Sequence, residues 1–256
     1  MMECPTMQFS PSLGGGRGEA VLFDMDGVLF NSMPYHARAW HLAMADYGFD
    51  LSVEEAYMHE GRTGFGTIQI VAGRQGREAT RELADEIYHV KSGYFARLIA
   101  ERAAELGPDA DLPEPMPGAL SLIRKMQAQG ILIILVTGSG TATLLDRLNT
   151  HYPGVFRPEL MVTAFDVKKG KPDPEPYLMG LAKGSAVLGR ELRPDECLVV
   201  ENAPLGVRAS VAAHIPTIAV NTGPLPPSVL IDEGARWLFP SIQALCDAWP
   251  KLNNEE

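Results

Sequence analysis

Short apolar runs alternate with stretches of helical periodicity over most of this chain. Four runs dominated by apolar residues end in polar or glycine-containing turns, at residues 20–23, 131–136, 197–200 and 216–220. Helical patterns lie between the later runs, at residues 119–129, 142–149, 174–188 and 205–213. Because alternating buried strands and helices imply right-handed crossovers, the sequence predicts an α/β fold with a doubly wound parallel sheet.

The interval at residues 34–112 departs from this alternation, because it has helical periodicity but no comparable apolar run. Its amphipathic stretches lie at residues 35–47, 52–58, 65–73 and 80–106. The flanking residues 32–34 and the proline-rich residues 108–117 have the composition of hinges. We therefore expect an α-helical cap at residues 34–112, inserted into a core of residues 20–33 and 113–256.

The overall composition fits a globular protein with a packed core. Hydrophobic residues make up 46% of the chain and charged residues 21%. The formal net charge of −10 at pH 7 argues against broad binding to nucleic acid or anionic membranes, because both need a basic surface. The scattered cysteines, Cys4, Cys197 and Cys246, form no CxxC pair and indicate neither a disulfide framework nor a zinc site. A reducing cytoplasm is therefore the expected location.

Residues 1–19 mix proline, serine and glycine without a hydrophobic period, so we expect a flexible leader. The alternative for Gly14, Gly15 and Gly16 is a phosphate-binding loop, but such a loop follows a strand and no apolar run precedes these glycines. The segment has no basic stretch followed by an apolar one, which predicts that it carries no targeting signal.

Two carboxylates follow the first apolar run, in the sequence Asp24-Met25-Asp26-Gly27-Val28. Ligands of open α/β sheets bind beyond the carboxyl ends of the strands, where these side chains are expected. One carboxylate can attack phosphorus while the other protonates a leaving group and then activates water. A magnesium ion would reduce their repulsion from a phosphate. Taken alone, however, the motif is more often a solvent-exposed Asp-Gly turn.

Polar residues also follow the later apolar runs. Thr137-Gly138-Ser139 offers a hydroxyl and exposed amides just before a predicted helix, where anions are favoured. Lys171 lies between glycine and proline, from where its ammonium group can reach a phosphate. Glu201 and Asn202 place two oxygen-bearing side chains beside the expected metal position. Each of these features alone has an ordinary structural explanation, but their order along the chain is specific.

In this order, the motifs resemble those of the haloacid dehalogenase superfamily, and within it the β-phosphoglucomutase-like branch with a helical cap after the first strand. The resemblance extends over residues 20–245. It implies that Asp24 is the nucleophile and a metal ligand. It also implies that Asp26 is the general acid and base, and that the main-chain carbonyl of Asp26 binds the same metal ion.

The resemblance gives roles to the later motifs as well. It implies that Thr137-Gly138-Ser139 holds the transferring phosphoryl group and that Lys171 neutralises the charges of the nucleophile and the phosphate. The family usually has Glu-Asp where this chain has Glu201 and Asn202. Asn202 can still bind magnesium through its amide oxygen, or Glu201 can carry more of the coordination. Asn31 also replaces a common aspartate, and the effect of that change is open.

The cap departs from the branch at one charged position. Where β-phosphoglucomutases have a lysine before glycine, this chain has Glu60 before Gly61. A carboxylate is repelled by a phosphate, so either a metal ion lies between them or Glu60 points elsewhere, for example towards Arg62. His36 and Lys91 match polar cap positions of the branch, although a helical histidine or lysine is usually a solvated surface group.

The sequence leaves three functions open. A magnesium-dependent phosphohydrolase that acts on inorganic pyrophosphate or a small phosphate ester is favoured, because Glu60 suits a substrate that arrives with its own metal ion. A β-phosphoglucomutase or a hexose-phosphate phosphatase is the alternative, and a non-catalytic binding module is the least favoured. The only expected partner is a small phosphorylated molecule. The sequence does not determine the oligomeric state, and a monomer is compatible with it.

Overall fold

A computed structural model of the chain describes residues 18–139 and 144–253. Most of the predicted leader, and the first two residues of the helix predicted at 142–149, lie outside the described residues. Glu19 already pairs with the sheet, since its N–H donates to the carbonyl of Glu196 at 2.7 Å and its own carbonyl accepts from the N–H of Leu132 at 2.9 Å. Backbone pairing thus begins one residue before the predicted start of the core.

One parallel sheet forms the centre of the core. Its strands are β1 Ala20–Phe23, β2 Leu132–Val136, β3 Met161–Val162, β4 Cys197–Glu201, β5 Thr217–Val220 and β6 Trp237–Phe239. Their order across the sheet is β3-β2-β1-β4-β5-β6. β1 pairs with β2 on one side and with β4 on the other, so the winding direction reverses at β1. The predicted doubly wound α/β fold is confirmed, and its reversal point is where such sheets bind ligands.

Ten α-helices accompany the sheet in the described residues. The segment between β1 and β2 holds α1 Met33–Asp46, α2 Val53–Met58, α3 Gly64–Arg74, α4 Arg81–Leu106 and α5 Ala119–Ala128. The later helices are α6 Leu144–His151, α7 Glu175–Leu188, α8 Pro204–Ala212, α9 Pro227–Asp232 and α10 Ile242–Asn253. Short 3₁₀ helices lie at Pro158–Leu160 and Pro194–Glu196.

Alternate residues of the central strands face two apolar cores, one on each side of the sheet. Val21 and Phe23 belong to the core that contains side chains of α5 and α10. Ala20 and Leu22 belong to the core that contains side chains of α7 and α8. Because both faces of β1 are buried, its sequence is continuously apolar rather than alternating.

The elements that the sequence did not predict are short or contain proline. β3 has two residues and β6 has three, too few to form a recognisable apolar run. α9 begins with proline, and α10 contains Pro250, which does not favour a helix interior. The proline-rich segment at residues 224–227 leads from β5 into α9, and β6 comes after it.

Helices α1 to α4 pack around an apolar cluster of their own. Met44, Ile68 and Ile87 are fully buried in this cluster, and Leu225 of the core chain also packs into it. Side-chain hydroxyls of Ser52 and Thr80 accept backbone N–H groups at the starts of α2 and α4, which satisfies donors that the first helical turn leaves free. These helices occupy the interval for which the sequence predicts a cap.

Among the described residues, no helix combines the length and the apolar character that crossing a membrane requires.

The close packing of α7 on the sheet gives a stability prediction. A Cβ added at Gly180 would lie 2.7 Å from Leu22 Cδ2, so Gly180→Ala should lower the free energy of unfolding by about 1–3 kcal/mol through overpacking. The control is Gly93→Ala in α4, where an added Cβ meets nothing within 4 Å and should stabilise the helix by about 0.5–1 kcal/mol. Chemical denaturation measures both. An equal effect of the two substitutions would contradict close α7 packing.

Candidate active site

The carboxyl ends of β1, β2 and β4 meet at the reversal point of the sheet. The N–H of Asp24 continues the pairing of β1 with β4 by donating to the carbonyl of Val200 at 3.0 Å. The N–H of Thr137 likewise donates to the carbonyl of Val162 at 2.9 Å. Backbone pairing therefore fixes the first residue after each strand, and both side chains are buried.

Lys171 links two strand ends through its ammonium group. Its Nζ lies 2.5 Å from Asp24 Oδ1 and 2.6 Å from Glu201 Oε1, and the lysine is only 2% exposed. Burial lowers the pKa of this lysine, but the neighbouring carboxylates of Asp24 and Glu201 outweigh burial and hold the pKa well above its usual value. Lys171 therefore stays charged inside the site.

Both carboxylate oxygens of Glu201 accept hydrogen bonds from protein groups. Oε1 accepts from Lys171 and, at 2.8 Å, from the hydroxyl of Tyr177. Oε2 accepts from the backbone N–H groups of Asn202 at 2.9 Å and Ala203 at 3.0 Å. A Cβ at Gly206 would lie 1.7 Å from Oε1, so the first turn of α8 accommodates this carboxylate only with glycine.

Asp26 has a different set of partners from Asp24. Its Oδ1 accepts from Ser32 Oγ at 2.5 Å and lies 3.4 Å from His36 Nε2. His36 Nδ1 in turn lies 2.8 Å from Lys91 Nζ, so this nitrogen accepts and the ring carries its proton on Nε2, facing Asp26. Burial raises the pKa of Asp26, but His36, Ser32 and Lys91 together bring it below its usual value.

The cap supplies an aromatic environment for Lys91. Its Nζ lies 5.3 Å from the ring centroid of Trp40, 5.8 Å from that of Tyr88 and 5.4 Å from that of Phe95. Burial lowers the pKa of Lys91 to about 8, although the charge of Asp26 opposes this shift. His36 stacks on Phe95 with ring centroids 4.0 Å apart. Neither His36 nor Lys91 is thus a solvated surface group.

The loop after β2, at residues 137–139, packs against the loop that joins α2 to α3 in the cap. Thr137 Oγ1 accepts from the N–H of Ser139 at 3.0 Å, which fixes the turn. A Cβ at Gly138 would lie 3.1 Å from the carbonyl oxygen of Gly61 in the cap. Gly61 itself has φ +82°, and a Cβ there would lie 2.9 Å from Lys171 Cδ. Glycine at both positions therefore permits the cap backbone to approach the site.

Glu60 points into the site and does not bind Arg62. Its Oε1 accepts from Asn202 Nδ2 at 3.0 Å, and Glu60 is 9% exposed. Burial raises the pKa of Glu60 well above its usual value, and the charge of Asp24 raises it further. Asn202 Oδ1 and Arg62 Nε are buried without a hydrogen-bond partner in the described structure.

A cavity of about 70 Å³ lies between these groups. Its lining includes Asp24, Asp26, His36, Glu60, Arg62 and Lys91. Gly138 and Ser139 also line it, while Lys171 contacts the lining residue Asp24 and Asn202 contacts the lining residue Glu60. Glu201 binds Lys171 behind them. Residues from separate sequence motifs, at the ends of β1, β2 and β4, in the loop before α7 and in the cap, therefore lie around one cavity.

Two further residues of the site were not predicted. Ser32 binds Asp26, and Tyr177 binds Glu201. Ser32 lies six residues after Asp26, so its position in the sequence could have indicated a contact with that aspartate. Tyr177 lies on α7, and nothing in its sequence context distinguishes it from a core aromatic residue.

Oxygen atoms dominate the centre of the site. Across residues 18–139 and 144–253, no group of three or more histidine, cysteine, aspartate and glutamate side chains is arranged to hold a metal ion. The oxygens beside the cavity include the carboxylates of Asp24 and Asp26 and the unpartnered amide oxygen of Asn202.

Burial raises the pKa of Asp24 to about 8. The charge of Lys171 opposes this rise, whereas the charges of Glu201 and Asp26 add to it.

Comparisons with known proteins agree on a family. A family model described as haloacid dehalogenase-like hydrolase matches residues 19–214. Hexitol phosphatase A of Escherichia coli (strain K12) is 32% identical over 205 residues, which cover 80% of this chain and 84% of that protein. Glycerol-1-phosphate phosphohydrolase 2 of Saccharomyces cerevisiae (strain ATCC 204508 / S288c) is 30% identical, over 79% of this chain and 74% of that protein.

A solved structure gives the same result. A protein from Bacteroides vulgatus, provisionally designated a beta-phosphoglucomutase, is 53% identical and superposes with a TM-score of 0.81. The match covers 92% of this chain and 89% of that one. The resemblance to the β-phosphoglucomutase-like branch, predicted from the strand-end motifs, is thereby confirmed.

The hydrogen bond from Tyr177 to Glu201 should contribute to stability. Tyr177→Phe removes one donor from a fully buried carboxylate, so the free energy of unfolding should fall by about 1–3 kcal/mol. Tyr94→Phe is the control, because Tyr94 donates to Asp46 at the surface and its loss should cost less than about 0.5 kcal/mol. Urea titration followed by circular dichroism measures both, and a neutral Tyr177→Phe would show that Glu201 does not need this donor.

Proposed function

This chain belongs to the haloacid dehalogenase-like hydrolase family, and we propose that it is a magnesium-dependent phosphohydrolase that works through an aspartyl phosphate. The observation that carries the proposal is the arrangement of the two aspartates. Asp24 is bound by the buried ammonium group of Lys171, whereas Asp26 is bound by Ser32 and His36 on the cap side of the same cavity. Two carboxylates with separate partners can take separate roles.

In the first step, a carboxylate oxygen of Asp24 attacks phosphorus and the bond from phosphorus to the leaving oxygen breaks. Asp26 donates a proton to that oxygen. In the second step, water attacks phosphorus, Asp26 takes the proton of the water, and the acyl phosphate bond breaks. The products are inorganic phosphate and the protonated leaving group, and Asp24 is regenerated.

The phosphoryl group is held by the loop after β2 and by Lys171. The backbone N–H groups of Gly138 and Ser139 and the hydroxyl of Thr137 are its proposed hydrogen-bond donors. Lys171 supplies a fixed positive charge that needs no reorganisation during the reaction, because its ammonium group is already positioned by Asp24 and Glu201.

The donor set fits magnesium, which prefers oxygen ligands. Asp24, Asp26 and Asn202 Oδ1 would hold it, since that amide oxygen is buried and has no other partner. Glu201 is less suited, because its two oxygens already accept four hydrogen bonds. When bound, the ion supplies positive charge that neutralises the phosphate and favours the ionised form of Asp24.

The pKa values of the two aspartates support a role for these added charges. With protein groups alone, burial raises the pKa of Asp24 and the partners of Asp26 lower its pKa, which is the reverse of what a nucleophile and an acid require. A cation held by Asp24 would oppose the first shift. The negative charge of a phosphoryl group beside Asp26 reverses the second, because a like charge disfavours ionisation. The proposed roles of both aspartates would therefore depend on the bound substrate and cation.

For the substrate, we favour inorganic pyrophosphate because of Glu60. Burial and Asp24 already raise the pKa of Glu60, and a bare phosphate would disfavour its ionised form further, because two unit charges 4 Å apart interact by about 4 kcal/mol at an effective dielectric constant of 20. A substrate that carries a divalent cation removes this penalty. Glu60 accepts a hydrogen bond from Asn202, a proposed ligand, and the cavity of about 70 Å³ suits a small leaving group.

Phosphate esters of small polyols or hexoses are the second candidate. The relatives described above are named for hexitol phosphate and glycerol 1-phosphate, and neither is named for pyrophosphate. A β-phosphoglucomutase activity would add a second transfer, to a sugar hydroxyl, and is favoured by the designation of the Bacteroides vulgatus protein. A non-catalytic role is disfavoured, because Asp24, Asp26, Thr137 and Lys171 are all in place.

The role of Asp24 is tested by Asp24→Asn. The amide preserves the shape but cannot attack phosphorus, so phosphate release should fall to background while the circular dichroism spectrum stays unchanged. Asp26→Asn is the matched comparison and should slow hydrolysis by about 10² to 10⁴, with a smaller effect on substrates that have good leaving groups. Phosphate release by a folded Asp24→Asn protein would remove Asp24 from the nucleophile role.

The substrate preference is tested by Glu60→Ala. Pyrophosphate turnover should fall by more than tenfold, about 1.4 kcal/mol of transition-state binding, whereas turnover of hexitol and hexose phosphates should hold or rise. The control is Glu54→Ala, an exposed carboxylate on α2 that should change neither. Both are measured as kcat/KM with magnesium present. Equal losses on the two substrate classes would make Glu60 a structural residue and exclude the pyrophosphatase proposal.

A further inference from the structure

Two short segments connect the cap to the core, and they pair with each other where they leave the core. The N–H of Asn31 donates to the carbonyl of Glu114 at 2.8 Å, and the N–H of Met116 donates to the carbonyl of Leu29 at 2.7 Å. An isolated antiparallel bridge lies between these two bonds. The cap can therefore turn relative to the core only beyond this paired ribbon, in the segments that lead to α1 and from α4.

The C-terminal end of α6 holds both connections from the core side. The hydroxyl of Tyr152, directly after α6, donates to the carbonyl of Leu29 at 2.5 Å, and the tyrosine is fully buried. On α6 itself, Arg147 Nη2 donates to the carbonyl of Pro113, and the guanidinium lies 5.2 Å from the ring centroid of Phe30. One helix of the core thus contacts the chain that enters the cap and the chain that leaves it.

An ionic contact links the same helix to the chain between α4 and the ribbon. Asp111 Oδ1 lies 3.3 Å from Arg147 Nη1, and Asp111 Oδ2 lies 3.0 Å from His151 Nε2. We call these three side chains the hinge latch. The aspartate side chain is 54% exposed, whereas those of Arg147 and His151 are 28% and 12% exposed. The anion of the latch is therefore half in solvent, while its partners are seated on α6.

The strength of such a contact suits a releasable lock. Water and salt screen an exposed ion pair, so it shifts an equilibrium between two states by only up to about fivefold. A fully buried pair would leave an uncompensated charge behind when it separates, and would therefore resist opening. The hinge latch can bias the position of the cap without fixing it.

The hinge latch is distinct from the reacting groups. Arg147 also borders a chamber of about 380 Å³ that has mainly apolar walls and shares residues with the catalytic cavity. In the described part of the chain, Asp111 and His151 line neither of these two spaces. Removing the charge of Asp111 therefore changes the hinge and leaves the side chains around the substrate site in place.

We propose that the hinge latch holds the cap closed and that its release opens the active site. With the cap closed, Asp111 is bound by α6. When the cap turns away, Asp111 leaves Arg147 and His151 and is solvated. The latch thereby sets the fraction of molecules whose site is open to substrate and product. This inference concerns the motion of the cap and does not rest on the proposed phosphohydrolase activity.

Thiol labelling measures the opening on the full chain. Ala56 is 2% exposed and lines the catalytic cavity, so a cysteine in its place is expected to react with a neutral maleimide when the cap is open. Its labelling rate is proportional to the open fraction when closing is faster than labelling. The native thiols Cys197 and Cys246 are buried, and Cys4→Ser in every protein tested removes the third.

Asp111→Asn keeps the size of the side chain, removes its charge and should raise the labelling rate at position 56 by about two- to fivefold. Arg147→Met removes a cationic partner and should act in the same direction. Glu105→Gln is the matched control, because Glu105 pairs with Arg102 at 2.9 Å within α4 and does not span the hinge, so the rate should not change. Sodium chloride at about 0.5 M should raise the rate of the parent protein but not that of Asp111→Asn.

A cysteine in place of Ala84 separates opening of the cap from its unfolding. Ala84 is 1% exposed within the apolar cluster of α1 to α4, and Asp111→Asn should leave the labelling rate there unchanged. Unchanged rates at position 56 in Asp111→Asn and Arg147→Met proteins that fold by circular dichroism would overturn the hinge latch, as would an equal rise at position 84. A protein that shows the expected rise but hydrolyses no phosphorylated compound would contradict the proposed function alone.

Discussion

The ammonium group of Lys171, buried between Asp24 and Glu201, is the interaction on which the rest of the site depends. A buried ammonium ion is costly unless it is paired and hydrogen-bonded, and two buried carboxylates are costly without a cation. Each charge therefore requires the others. The strand ends of β1 and β4 and the loop before α7 are held together by this requirement, which fixes Asp24 in position.

The excess negative charge that remains supports the proposed binding of a divalent cation. Lys171 is one positive charge against Asp24 and Glu201, and Asp26 and Glu60 add further carboxyl groups beside the cavity. Burial and these like charges raise the pKa values of Asp24 and Glu60. A divalent ion at the oxygen atoms of Asp24, Asp26 and Asn202 would balance the charge. Asn202, which stands where the family usually has an aspartate, reduces this excess by one negative charge.

The cap completes the site rather than merely covering it. Gly61 brings the cap backbone against Gly138 and Lys171, and Glu60 reaches Asn202 across the interface. His36 and Lys91 form a hydrogen-bonded chain to Asp26. The same interface leaves a larger apolar chamber beside the small polar cavity. In the proposed mechanism the core residues therefore bind the phosphoryl group, whereas residues of the cap face the leaving group.

The sequence by itself determined four of the six strands, the helical interval after β1 and the residues at the strand ends. It could do so because apolar runs identify buried strands, and the carboxyl ends of parallel strands meet at one edge. Only the tertiary structure decided the partners of Glu60, the four hydrogen bonds of Glu201, the contact of Tyr177 with Glu201 and the larger apolar chamber beside the cavity. Glu60 and Asn202 are 142 residues apart. Contacts over such separations depend on how the cap is seated on the core, and no local pattern in the sequence encodes that geometry.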